Sequence, residues 1–414
     1  MLINKRLILS ILLIISLSGM ALAQNKLQTG VWRGALTTSS GNLVPFNFAV
    51  ADTDGHQQIT VLNGSERIKV PDVKTIGDSV FIRMPLFDSE FKLKLNVDGL
   101  TGFWIRHLGT KDSQVPFIAT PNTSWRFFKD EQKASFDISG SWAATFGAGT
   151  PGKDELVGEF KQNGSALTGT FLSTTGDYRF LQGNVLGNHL YLSCFDGGHA
   201  FFFTAKINDD KTITEGEFFA GISGHESWTA VKDPNAKLPD AYSLTALKPG
   251  YKKIDFTFKD INGNTVSLSD SRFKNKVVIV QILGSWCPNC MDETNYLVGS
   301  YYPKYHDKGV EVIGLAYERT TDFAKSQRTL QQLKDHFNVP YPLLITGYTP
   351  GGDDPQKSLP ALADFKGFPT TIIIDKKGDV RKIHTGFSGP GTGEYYTQFI
   401  DEFTQLTDDL LAEK

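Results

Sequence analysis

Lys276-Val277-Val278-Ile279-Val280-Gln281-Ile282-Leu283-Gly284-Ser285-Trp286-Cys287-Pro288-Asn289-Cys290 is the stretch on which the fold turns. Between Val277 and Leu283 it is continuously apolar except for Gln281, the pattern of a central strand covered on both faces. Pro288 then predicts the start of a helix, because a first-turn proline lacks only an N–H that has no intrahelical partner anyway. Cys287 is thereby placed at a helix N-terminus, where partial positive charge and unpaired N–H groups favour thiolate over thiol. A thiol with a pKa of about 8.5 is only a few per cent ionised at neutral pH, whereas one lowered to about 7 is about half ionised. The two-residue spacing lets Cys290 reach Cys287, so the pair can exchange with another disulfide through a mixed disulfide, Cys287 attacking and Cys290 resolving. Two alternatives stand beside this. A structural zinc site needs four protein ligands, and no second C-x-x-C or H-x₃₋₅-H accompanies the pair. An inert disulfide fits less well with the strand-to-helix placement of redox pairs.

Working outward, a chain of 414 residues predicts two or three domains. A net charge of -3 offers no basic footprint for a phosphate backbone and argues against a nucleic-acid partner. Residues 1–23 read as a cleavable signal peptide: Lys5 and Arg6, an apolar run from Leu7 to about Leu17, and the small-residue site Ala21-Leu22-Ala23. That run is shorter than the ~20 residues a bilayer requires, so no stable membrane span is expected after cleavage. The expected location is periplasmic or otherwise exported, a setting in which disulfides persist. Three cysteines are too few for a disulfide framework, and Cys194 stands alone, either as a free thiol or as a small buried hydrophobe. The eight histidines show no ligand spacing, so no metal is expected.

From residue 24 to 235 the sequence is rich in Gly, Thr, Ser and aromatics, with short alternating runs and turn pairs such as Asn63-Gly64 and Asn163-Gly164, which predicts antiparallel strands. It also repeats. Gly30-Val31-Trp32 returns as Gly140-Ser141-Trp142, and the run from Ile76 returns from Leu186, both at an offset of 110 residues. Phe87-Asp88 returns as Phe195-Asp196 at 108. Two related β-modules, barrel or sandwich, are expected at 24–125 and 126–235. The Gly-x-Trp starts loosely resemble the lipocalin-like group, without identifying a ligand. Residues 236–250, with Pro239 and Pro249, read as a linker. Beyond them strand-like and helix-like segments alternate as in an α/β layer. Val310–Leu315 reads as the next parallel strand, and Tyr396, Phe399, Ile400, Phe403, Leu406 and Leu410 form the stripe of a closing helix.

Four ordered features of residues 251–414 resemble the TlpA/ResA-like branch of the thioredoxin superfamily. They are the leading hairpin (Asp255 to Asp260, the Asn262-Gly263 turn, Val266 to Asp270), the W-C-P-N-C run, Glu293 three residues after Cys290, and Gly367-Phe368-Pro369-Thr370-Thr371 followed by a strand and the Lys377-Gly378 turn. The resemblance implies an α/β thioredoxin-like domain that reduces or exchanges protein disulfides without a bound cofactor and draws electrons from an upstream thiol donor. It implies that Pro369 is cis and, with Phe368, borders the substrate groove, and that Trp286 shields the thiols. From local sequence alone Pro369 would read as an ordinary trans proline opening a strand. Glu293 reads either as the proton acceptor for Cys290 or as a solvated helix carboxylate, and its burial decides. The chain departs from the pattern twice. Asn295 replaces a usual helix-kinking proline, with Pro303 later, and Gln281 stands where thioredoxins proper carry a buried aspartate. Two other functions remain open: a thiol peroxidase of related fold, whose peroxide consumption would survive Cys290→Ser, and an envelope binding module with an accessory redox domain.

Overall fold

The computed structural model describes residues 26–108, 111–130, 133–352 and 354–413; the leader read at residues 1–23 lies outside them. The Gly/Thr-rich part forms two barrel-like sheets. In the first, nine antiparallel strands run from Gly30–Thr37 to Asp112–Pro121, and these two strands pair with each other. Its order follows the chain except at Pro71, where Glu66–Val70 and Asp72–Ile76 succeed one another unpaired. The second nine-stranded sheet closes on itself: Gly140–Phe146 pairs with both Asp154–Asn163 and the last strand, Gly224–Lys232. Alternation directs the closure. In Gly140–Phe146, Trp142, Ala144 and Phe146 all point into one core, and a strand with one apolar face rolls that face inward.

The internal repeat is visible in the fold. The Trp32 and Trp142 indole N–H groups donate to the carbonyls four residues back, Gln28 and Ile138, each at 2.8 Å. Both rings are buried. The two barrels also interlock. The hairpin between His189–Phe195 and Ala200–Ile207 of the second barrel enters the first, where Phe195 stacks on Phe46 at 4.4 Å and meets Trp104 edge-on at 5.1 Å. Asn63 brackets the Phe195 backbone, donating to its carbonyl at 2.8 Å and accepting from its N–H at 3.2 Å. The cavity left inside the first barrel is about 20 Å³ and lined by apolar side chains, room for about one water.

Residues 236–250 cross to the α/β part as a docked segment. Ala246–Leu247 pairs with Leu362–Ala363, and Thr385 Oγ1 donates to Thr245 Oγ1 at 2.8 Å. The α/β part is built on a seven-stranded sheet in the order Thr265–Ser267, Thr257–Asp260, Leu343–Ile345, Val310–Ala316, Val277–Leu283, Thr370–Ile374, Val380–Thr385. All seven residues of Val277–Leu283 are buried. This strand runs parallel to Val310–Ala316 and antiparallel to Thr370–Ile374. Val277, Ile279 and Leu283 enter the core shared with the helices Pro288–Tyr296, Phe323–Phe337 and Glu394–Ala412, while Val278, Val280 and Ile282 enter the core of the opposite face. No helix among the described residues is long and apolar enough to cross a membrane.

Candidate active site

The helix begins at Pro288, with Cys287 as its N-cap: backbone φ -102°, ψ 114°, and a sulfur that accepts from the Cys290 N–H at 3.3 Å. The cap arises because proline presets the first helical turn while the preceding residue is driven to extended backbone. Cys287 and Cys290 are disulfide-bonded, with Cα atoms 5.2 Å apart. Their exposures are 4% and 0%, so the pair is covered although its chemistry requires contact with another sulfur. The helix continues past Asn295 into a wide turn, Leu297–Tyr301, in which the Tyr302 N–H reaches back five residues to the Leu297 carbonyl, and then into Tyr302–Tyr305. Pro303 therefore sits just beyond a π-turn instead of breaking the helix, one of the recurring ways a helix absorbs a proline.

Three loops fix the cysteine tip. The Phe368–Pro369 peptide is cis, and the Phe368 ring meets Trp286 edge-on at 5.3 Å. Trp286 is held by its indole N–H, which donates to the Tyr317 carbonyl at 2.9 Å, and by Arg319, whose guanidinium lies 5.1 Å from the ring. Between them Glu318 accepts from the Ser285 N–H at 2.8 Å and the Ser285 hydroxyl at 2.7 Å, with Thr329 adding a third bond. Burial raises the Glu318 carboxyl above its usual range against these bonds. A cleft of about 370 Å³ opens beside Trp286, between Phe87 and His107 of the first barrel and Arg319 and Arg328 of the α/β part.

Behind the pair lies Glu293, 1% exposed. Its carboxylate accepts from Gln281 Nε2 at 2.8 Å and from the Thr371 hydroxyl. Gln281 also donates to the Cys290 carbonyl at 3.3 Å and to Thr294 Oγ1 at 3.1 Å. The amide that stands in the strand thus ties the helix of the cysteines to the carboxylate. Burial pushes Glu293 up to about 7, with the Thr371 and Gln281 bonds pulling the other way. It is no solvated helix carboxylate; it is an internal acid that changes charge near neutrality.

The structure brings Trp286, Cys287, Cys290, Phe368 and Pro369 to one tip and Glu293 beneath it. Cys194 is elsewhere, in the second barrel, buried with its thiol donating to the Tyr178 carbonyl at 3.8 Å. Burial raises its pKa well above the ordinary thiol value, which makes it inert. Sequence reasoning missed Glu318, for which no local pattern exists, and it missed Arg179 with its partners. Arg179, from the second barrel, pairs with Asp292 of the cysteine helix and with Glu66 of the first barrel. Burial opposes its charge, yet Asp292, Glu66, Asp196 and Asp177 outweigh it and hold the guanidinium protonated. Asp292 itself is raised to about 7, mainly by burial. Only the Asp292-Glu293 doublet hinted at it in the sequence.

Residues 227–398 match the Redoxin family. Thiol-disulfide oxidoreductase ResA of Geobacillus kaustophilus is 28% identical over 142 residues, 34% of this chain and 72% of that protein. Thioredoxin-like protein YneN of Bacillus subtilis is 27% identical over 140 residues, 34% and 73% respectively. A solved putative thiol:disulfide interchange protein DsbE from Chlorobium tepidum aligns with 23% identity over 38% of this chain and 98% of that one, at a TM-score of 0.29. The C-terminal part is a Redoxin domain, distantly homologous to the ResA/TlpA-like thiol–disulfide oxidoreductases. It is a thioredoxin-like oxidoreductase domain with Cys287 and Cys290 as its C-x-x-C pair.

Proposed function

We propose that this chain is an exported enzyme that reduces or exchanges disulfides of other proteins, in the periplasm or a comparable compartment, and is recharged by an upstream thiol donor. The observation that carries the redox reading is Cys287 as the N-cap of a helix and bonded to Cys290. There the thiolate of the reduced form is favoured by the helix terminus. The leader pattern of residues 1–23 supports export.

In the reducing direction, the Cys287 thiolate attacks one sulfur of the substrate disulfide and forms a mixed disulfide, releasing the other substrate sulfur as thiolate. Cys290 gives its proton to Glu293 and attacks the Cys287 sulfur, which forms the internal disulfide and releases the second substrate thiolate. The substrate gains two electrons and the pair loses two. Glu293 suits the proton step because its pKa of about 7 lies near the working pH. Trp286, Phe368 and Pro369 border the surface on which the substrate segment rests. The reading assigns no cofactor to the cycle.

Trapping tests it. In Cys290→Ser the mixed disulfide has no resolving thiol, so proteins held on Cys287 should accumulate and be released by reductant. Absence of any such adduct, or peroxide consumption persisting in Cys290→Ser, counts against protein-disulfide exchange.

A further inference from the structure

We infer that the turn Thr174–Asp177 of the second barrel is a gate over the cysteine pair and decides which disulfides reach it. The inference rests on the exchange reading above and adds a specificity element to it. Exchange requires a foreign sulfur to approach Cys287 directly, yet Cys287 is 4% exposed.

The turn meets the reactive tip on several sides. Gly176 backs onto Asn289, the residue between Pro288 and Cys290: a Cβ at Gly176 would lie 2.0 Å from the end of the Asn289 side-chain amide. With the Asn289 amide oriented to satisfy both groups, its nitrogen donates to the Asp177 carbonyl and its oxygen accepts from the Asp177 N–H, each at 3.2 Å. The Thr175 methyl lies against Gly367, 2.5 Å from where a Cβ would stand, one residue before Phe368 and its contact with Trp286. Across the tip, a Cβ at Gly386 would lie 2.7 Å from the Thr174 carbonyl oxygen, and the Asp177 carboxylate accepts from the Gly389 N–H at 2.7 Å. The fit depends on side chains being absent at Gly176, Gly367 and Gly386: the first two leave room for the Asn289 and Thr175 side chains, and the third for the Thr174 and Thr175 backbone.

The cover is held by polar contacts, with Asp177 buried among them, more than by apolar packing. The turn inserts no large apolar side chain; Thr174 and Thr175 are half-buried, so lifting it forfeits little hydrophobic burial. A disulfide on a folded protein cannot share this space with the turn. Its reaction rate is the intrinsic rate multiplied by the fraction of molecules with the turn lifted.

The test uses the full-length reduced protein and follows iodoacetamide labelling of Cys287 by mass spectrometry, alongside reduction of insulin disulfides. Gly176→Val, whose side chain collides with Asn289, should raise the labelling rate by about tenfold or more, as expected when a minor open state becomes the major one. Thr175→Gly, which strips the methyl from Gly367 without adding bulk, should raise it less but in the same direction. Insulin reduction should rise in parallel. Equal labelling rates in the wild type and both variants overturn the gate, and so does a rise confined to Gly176→Val that accompanies a lowered melting temperature. If labelling rises but no variant exchanges with any disulfide, the gate stands and the exchange reading fails.

Discussion

Glu293 illustrates how burial can set a residue's charge. Its ordinary value of 4.5 is raised to about 7. Below about pH 4.5 it is protonated in folded and unfolded chains alike. Between about 4.5 and 7 the unfolded chain releases the proton and the folded one keeps it, so stability falls as pH rises, by at most about 1.4 kcal/mol per unit. Glu293→Gln removes that slope. Urea titrations should show the variant gaining on the wild type from about pH 5 to about pH 7.5. Resolution of a preformed mixed disulfide should slow by about a hundredfold and lose its pH step near neutrality, read by stopped-flow. Glu318 is a positioning residue. Glu318→Ala leaves the buried Ser285 N–H unpaired, at a cost of about 1–3 kcal/mol in chemical denaturation. Glu318→Gln, which keeps one acceptor, should recover most of the exchange rate as well as the stability.

At the scale of elements, the strand Val277–Leu283 and the helix after it were legible because their signals are local: an apolar run, a breaker, and a first-turn proline. The closing helix was legible for the same reason, its stripe emerging as the buried Phe399, Phe403 and Leu410 of Glu394–Ala412. The β-modules were legible as strands and as a repeat, while barrel against sandwich was left open because closure depends on which strands meet across the sheet. The hairpin that carries Phe195 into the first barrel had no signature beyond the Phe-Asp pair. Phe195→Ala should cost about 3–5 kcal/mol and lower the urea midpoint of the first barrel as well as the second, since the ring belongs by packing to the first core and by chain to the second.

The molecule as a whole is joined at Arg179, where the two barrels and the cysteine helix each supply one member of a buried ion cluster. Arg179→Met leaves Glu66 and Asp292 without their counter-charge and should cost about 3–5 kcal/mol. Asp292, already raised to about 7, then resists ionisation further, so the loss measured at about pH 8 should exceed that at about pH 6. The same junction sets the turn Thr174–Asp177 against Asn289 and Gly367. Chemistry at the cysteines and packing of the barrels are therefore one structural problem.

The sequence by itself determined that residues near Cys287 and Cys290 form a strand, a breaker and a capped helix, because those preferences act within a few residues of each other. It also determined the presence of a repeated β region, through turn residues and alternation. Only the tertiary structure decided that Gln281 and Thr371 close around Glu293, that Glu318 holds Ser285, that Arg179 meets Asp292, and that the second barrel meets Asn289 between the two cysteines. The physical reason is range: each of these is a contact between segments far apart in the chain, and burial, which sets both pKa and access, belongs to the assembled fold.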